Sequence, residues 1–304
     1  MAAGGGTKSI LAALVANAGI AFAKFIGFLI TGSSSMLAES VHSVADTSNQ
    51  GLLLLGKRTS LRRATSEHPF GFGRDRYFYS FVVALMLFSL GAVFALYEGI
   101  HKLEEPEALR TPMVAVTILV VAIVLETFSF RTAIMESKVI KGDATWWQFV
   151  RQSKQPELPV VLLEDAGALF GLVFALIGVG LSVLTGDPVW DAIGTIMIGI
   201  LLGIIAIILI IEMKSLLIGE GAGPRVLDTI HSELAAGKVE RVIHIRTQYI
   251  GPDELLVAAK IALRPGLEAS DVAQAIDDAE LRVRGKVPEA RLIYLEPDLD
   301  RTPR

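Results

Sequence analysis

AESVHSVADTSNQ, residues 38–50, has the spacing of a helix but more polar groups than a lipid-facing helix tolerates. Glu39, His42, Asp46, Ser48, Asn49 and Gln50 crowd about four turns. At about 100° per residue, Glu39, Asp46 and Asn49 fall within about 60° of His42 and form one stripe with it. An ionisable group at mid-bilayer costs on the order of 2.5–3.5 kcal/mol, so three on one face need partners or water. His42 and Asp46, one turn apart, have the spacing at which an imidazole nitrogen and a carboxylate share one divalent cation. The plainer reading is a polar seam bonded to other helices, with Asn17 and Lys24 of the preceding apolar run as partners.

The flanks are made for lipid. Of 304 residues, 52% are hydrophobic and 20% charged, and the mean hydropathy of +0.54 places the chain in the membrane class. Crossing about 30 Å of hydrocarbon takes roughly 20 apolar residues, and such runs lie at 9–31, 77–100, 112–135, 159–184 and 188–212. The polar helix, extended through GLLLLG to residue 56, makes a sixth span that only neighbouring helices can shelter. The start, MAAGGGTK, has no secretory-signal pattern, so residues 1–8 read as a flexible leader and the first apolar run as retained. The net charge of −4 includes no basic tract of the kind that binds nucleic acid. With no cysteine, disulfides, thiolate chemistry and zinc fingers are excluded.

Basic residues sort the loops. Lys57, Arg58, Arg62, Arg63, Arg74 and Arg76 separate spans two and three; Lys138, Lys141, Arg151 and Lys154 separate four and five. The remaining loops are poor in them, so both termini are expected on the cytoplasmic or equivalent side, in a bacterial plasma membrane or an organelle membrane. Residues 9–218 therefore read as a six-helix membrane domain. From 219 the pattern changes to helix, two alternating strands around GPD, an amphipathic helix and a last strand, an αββαβ order that predicts a small two-layer domain. At about 85 residues it is marginal alone, and dimerisation would help it.

Partners for the stripe are few. Glu126 with Arg131 on span four reads as a structural ion pair. Glu164 and Asp165 open span five in VVLLEDAGALFGL; adjacent residues diverge by about 100°, so only one of them can point straight at the stripe. Asp191, after GDPVW, reads as the cap of span six.

TGSSSMLAESVHSVADTSNQ on span two, HPFGFGRDRYFYS leading into span three, the span-five Asp, DPVWDAIGTIMIGILL on span six and the tail ending in YLEP together resemble the cation diffusion facilitator, or zinc transporter, family. WWQFVRQSKQPELPVVLLEDAGALFG and RYFYSFVVAL are similar to the branch containing zinc transporter 9. The resemblance implies a homodimer with six transmembrane helices and a ferredoxin-like cytoplasmic domain that exchanges Zn2+ or a similar ion for protons at a tetrahedral site between transmembrane helices 2 and 5. Carried across by position, the site residues are His42, Asp46 and Asp165. The place one turn before Asp165, where the family commonly has His or Asp, is Val161. Three protein ligands with a water, Glu164 reaching in, or Glu39 joining would each complete the site.

In the tail, Ile243, Ala259, Ala273 and Tyr294 stand where relatives carry zinc-binding histidines, with only Glu296 acidic, which implies no dinuclear zinc site there. His68, beside Pro69 and two glycines, reads as a loop organiser. GEGAG, 219–223, reads as a hinge, since no Lys-Ser/Thr follows to make a phosphate loop. Trp146, Trp147 and Phe149 suit a membrane interface. No HExxH or nucleophile elbow points to an enzyme.

Imidazole with carboxylates favours Zn2+ over the all-oxygen set that suits Mn2+ or Mg2+, with Co2+ and Cd2+ also acceptable. His42 must lose its proton to bind metal and can regain one when metal leaves, which couples the two ions. The competing expectation is a membrane-anchored scaffold whose stripe is glue.

Overall fold

The computed structural model describes residues 18–106 and 108–299. The leader at 1–8, Asn17 and the first half of the first span lie outside them. The chain separates into two compact units: residues up to Lys57 with Phe78–Met213, and Arg58–Tyr77 with the residues from Lys214 onward.

The first unit is helical. After α1 (Ala18–Thr31), Gly32 turns the chain at φ +69° into α2 (Ser34–Ser60), which carries the stripe. α3 (Asp75–Met86), a π-helical segment (Leu87–Val93) and α4 (Phe94–Glu104) run on as one helix of 30 residues. α5 (Pro112–Lys141) starts with Pro at its first position, where the missing N–H costs nothing. α6 (Trp146–Gln152) is a short helix set by a capping box between Thr145 and Gln148. α7 (Glu157–Thr185) ends at Gly186, left-handed at φ 73°. Asp187 then accepts from the Val189 N–H, 3.0 Å, to start α8 (Val189–Ile218).

Of the six expected spans, four among the described residues are long and apolar enough to cross a membrane: Asp75–Glu104, Pro112–Lys141, Glu157–Thr185 and Val189–Ile218. α1 is described over only a short apolar stretch, and the polar stripe keeps α2 out of the four. α5 is the most peripheral, with 17% of its apolar window buried against 44% for α7 and α8. Small residues let α7 and α8 meet closely: a Cβ on Gly178 would stand 2.8 Å from the Trp190 carbonyl oxygen.

In the second unit α9 (Pro224–Leu234), β1 (Val239–Gly251), β2 (Glu254–Leu263), α10 (Ala269–Lys286) and β3 (Leu292–Pro297) reproduce the αββαβ order. The sheet order is β1-β2-β3. β1 and β2 are antiparallel, with Thr247 opposite Val257. β3 joins β2 in parallel, Val257 opposite Ile293, after the crossover through α10 that parallel pairing requires. Ile230, Leu234, Val257, Ile261, Val283 and Ile293 meet in its core. The segment that follows α2 belongs to this unit: Gly73 lies so close to the Ile250 carbonyl that a Cβ would come within 2.7 Å, and Arg76 Nη1 is 3.2 Å from Asp253 Oδ2. Tyr249 N–H donates to the Glu220 carbonyl, 2.8 Å, and Ala222 N–H to Thr247 Oγ1, 2.9 Å, so GEGAG is pinned along β1.

Candidate metal centre

Helical spacing puts Glu39, His42 and Asn49 of α2 fully inside the bundle, while Ser48, on the opposite face, is exposed. The four stripe residues meet different partners along the helix. At one end Lys24 of α1, 2% exposed, stands 2.9 Å from Glu39 Oε2 and donates to Ser43 Oγ at 2.8 Å. One turn on, His42 Nδ1 is 3.5 Å from Asp46 Oδ1, and both imidazole nitrogens are buried without a hydrogen-bond partner. The Asp46 carboxyl meets that of Glu164 on α7, and Asn49 Nδ2 donates to Glu164 Oε1.

Glu164 and Asp165 diverge as their adjacency requires. Glu164 reaches α2, whereas Asp165 turns toward α5 and accepts from Ser129 Oγ at 3.0 Å. Both border a polar cleft of about 30 Å3, along with Asp46, Glu126, Ser129 and Val161. That is room for about two or three waters, since each needs roughly 10–15 Å3. Val161 presents an alkyl group on this cleft, one turn before Asp165. The structure thus joins His42 to Asp46 and Asp46 to Glu164, with Asp165 across the cleft. Among the described residues no three His, Asp or Glu side chains already stand close enough to share one ion. Two carboxyls in contact repel unless a proton or a cation stands between them.

Two sequence expectations change. Glu126 does not pair with Arg131: among the described residues it borders the cleft instead, and Arg131 points outward, exposed. The signal was available, because Glu126 and Ser129 lie three apart on a lipid-length helix and so share a face. Asp191 caps, but not its own helix. Fully buried, it accepts from Ser33 Oγ at 2.8 Å, Ser34 N–H at 2.9 Å and Ser34 Oγ at 3.1 Å, and so holds the start of α2. The cap of α8 is Asp187, which its neighbour Pro188 announces. His68 is tied into its loop by backbone bonds with Thr65 and Gly71, its ring 4.6 Å from that of Phe72. In α6, Phe149 and Val150 are buried while Trp146 and Trp147 are exposed, the two-sided character of an interfacial turn.

Residues 10–218 match the cation efflux transmembrane domain. The chain belongs to the cation efflux family. Family membership places it among transporters rather than enzymes. Within the family it is 34% identical over 281 residues to the Xenopus laevis "proton-coupled zinc antiporter SLC30A9, mitochondrial", covering 89% of this chain and 50% of that protein. The mouse protein of the same name is 32% identical over 283 residues, covering 90% and 50%. Magnetosome protein MamB of Paramagnetospirillum magneticum is 25% identical over 275 residues, covering 88% and 85%. The chain spans about half the length of the frog and mouse relatives.

Proposed function

We propose that the chain is a proton-coupled antiporter of divalent cations with Zn2+ as its leading substrate. The observation that carries this is the chain of contacts His42–Asp46–Glu164, which brings an imidazole and a carboxyl of α2 to a carboxyl of α7 at the edge of a polar cleft. One imidazole with two carboxylates is a set that zinc accepts, and a fourth position open to water suits an ion that must leave again. Asp165 and Glu126, on the same cleft, supply further negative charge for an approaching ion. Protons return to the groups that the metal vacates, because imidazole and carboxylate bind metal only when deprotonated. The frog and mouse relatives, named as proton-coupled zinc antiporters, support the same pairing.

The finer architecture follows the family resemblance. Six spans place both termini and the basic loops on the cytoplasmic or equivalent side. The αββαβ unit is a ferredoxin-like dimerisation domain, and the working protein is a homodimer. Residues 9–218 form its membrane domain and 219–304 its tail.

Zinc flux into proteoliposomes under an imposed pH gradient tests the assignment. His42→Ala, Asp46→Ala and Glu164→Gln should each lower flux by at least about tenfold, the lower range for disturbing a metal's surroundings. His42→Asp should widen the metal ranking toward Cd2+ and Mn2+. Flux equal to the parent's in His42→Ala and Asp46→Ala overturns the reading. Zinc binding indifferent to both residues would leave a membrane-anchored scaffold.

A further inference from the structure

Lys24 is an unusual side chain in the first unit: an ammonium on an apolar helix, 2% exposed. It bonds Glu39 Oε2 and Ser43 Oγ, one on either side of the His42 position. Glu39 is fully buried, and its second oxygen, Oε1, has no hydrogen-bond partner. That oxygen lies over α7 at Gly171, so close that a Cβ there would come within 2.6 Å. The close approach of α7 thus leaves a niche that Glu39 fills. Glu39 is also the one acidic member of the stripe that does not border the polar cleft, although the helix turns it to the same face as His42 and Asp46.

A carboxylate one turn from a metal site would ordinarily join it. Here a fixed cation already occupies it. We propose that Lys24 determines metal specificity: it is a tethered cation that holds Glu39 out of the coordination sphere, so that α2 offers the transported ion His42 and Asp46 but no second carboxylate. The inference rests on the antiporter reading and adds the reason for its selectivity. One imidazole with two carboxylates favours zinc; a third carboxylate would move the set toward Mn2+ and Mg2+, which prefer oxygen-rich surroundings. A simple α1–α2 ion pair would hold the helices together without touching the metal ranking.

The test is equilibrium competition of Mn2+ against Zn2+ on the purified full chain, with the unfolding temperature followed in parallel. Lys24→Met keeps the packing of the stem and removes the charge. It should raise Mn2+ affinity relative to Zn2+ about tenfold, the scale on which groups around a metal act. Lys24→Met with Glu39→Gln should return the parent ranking, since the freed carboxylate is the cause. Glu39→Gln alone should leave the ranking where it was. If Lys24→Met does not fold, Lys24→Gln, which still donates to Glu39 without a charge, must show the same direction. A folded Lys24 variant with the parent ranking overturns the proposal, as does a double variant that keeps the shift. Zinc binding that survives His42→Ala and Asp46→Ala overturns the antiporter reading instead, so the two failures are separable.

Discussion

α2 contains two buried polar regions, and they are built in opposite ways. At its start Ser33, Ser34 and Ser35 are joined to Asp191 and Thr195 of α8 by bonds of 2.8 to 3.1 Å. In its middle Glu39 Oε1, both His42 nitrogens, Asp46 Oδ1 and Asn49 Oδ1 are buried with no hydrogen-bond partner. Buried polar groups that serve only the fold are satisfied, because each unmet one costs about 1–3 kcal/mol. A group that must bind a passing ion has to keep its lone pairs in reserve. The contrast within one helix separates a satisfied polar region from an unsatisfied one, a distinction that polarity in the sequence does not make.

The largest expected effect lies at the satisfied end. Asp191→Ala strands the Ser33 and Ser34 donors and should lower stability by on the order of 3 kcal/mol, read as an early unfolding transition in detergent. Asp191→Asn should recover part of it. An unchanged transition would erase the contrast. Next, zinc at about a hundred times its Kd should stabilise the parent by roughly 2.7 kcal/mol and leave Asp46→Ala unmoved; equal stabilisation of both would mean that the ion binds elsewhere. His42→Leu comes third. It should stop zinc binding while shifting stability by less than about 1 kcal/mol in either direction, because removing an unsatisfied polar group from an interior relieves as much as it loses. A fall as deep as that of Asp191→Ala would make the stripe a structural seam.

The smallest effect belongs to the tail, where Lys260 lies 3.0 Å from Glu296 and 3.1 Å from Asp298. Hydrogen bonds to these two carboxylates hold the Lys260 ammonium above the usual lysine range. A raised pKa stabilises the fold fully below the unfolded value of about 10.4 and ceases to do so as the pH climbs through the folded one. The parent and Lys260→Met should therefore differ slightly at pH 8 and converge in strong alkali. Exposed pairs contribute little, so a difference rivalling that of Asp191→Ala would remove the distinction between buried and surface polarity.

Hydropathy showed the four long apolar helices in the sequence, and alternation showed the tail order, because both are local signals. The His42–Asp46 pair was legible for the same reason: a single turn of helix sets it. Contacts between helices were not. Periodicity gives the angle between Glu164 and Asp165 but not the phase of α7 against α2, so which of them would touch the stripe depended on packing between the two helices, where Gly171 lies against Glu39. Arg131, five residues on, suggested a partner for Glu126, but that side chain borders the cleft while Arg131 is exposed. Asp191 was recognisable as a cap, yet its client is 157 residues away in the chain, beyond any windowed pattern.

The segment between α2 and α3 has a practical bearing. Because Arg58–Tyr77 packs into the same body as the residues from Lys214 onward, a recombinant tail started at Lys214 would leave behind the strip that shields Ile250 and Gly251 and the arginine that neutralises Asp253. Such a fragment would be sticky for reasons unrelated to its own core. Chimeras that graft one relative's tail onto another's helices have to transplant two pieces of chain, not one.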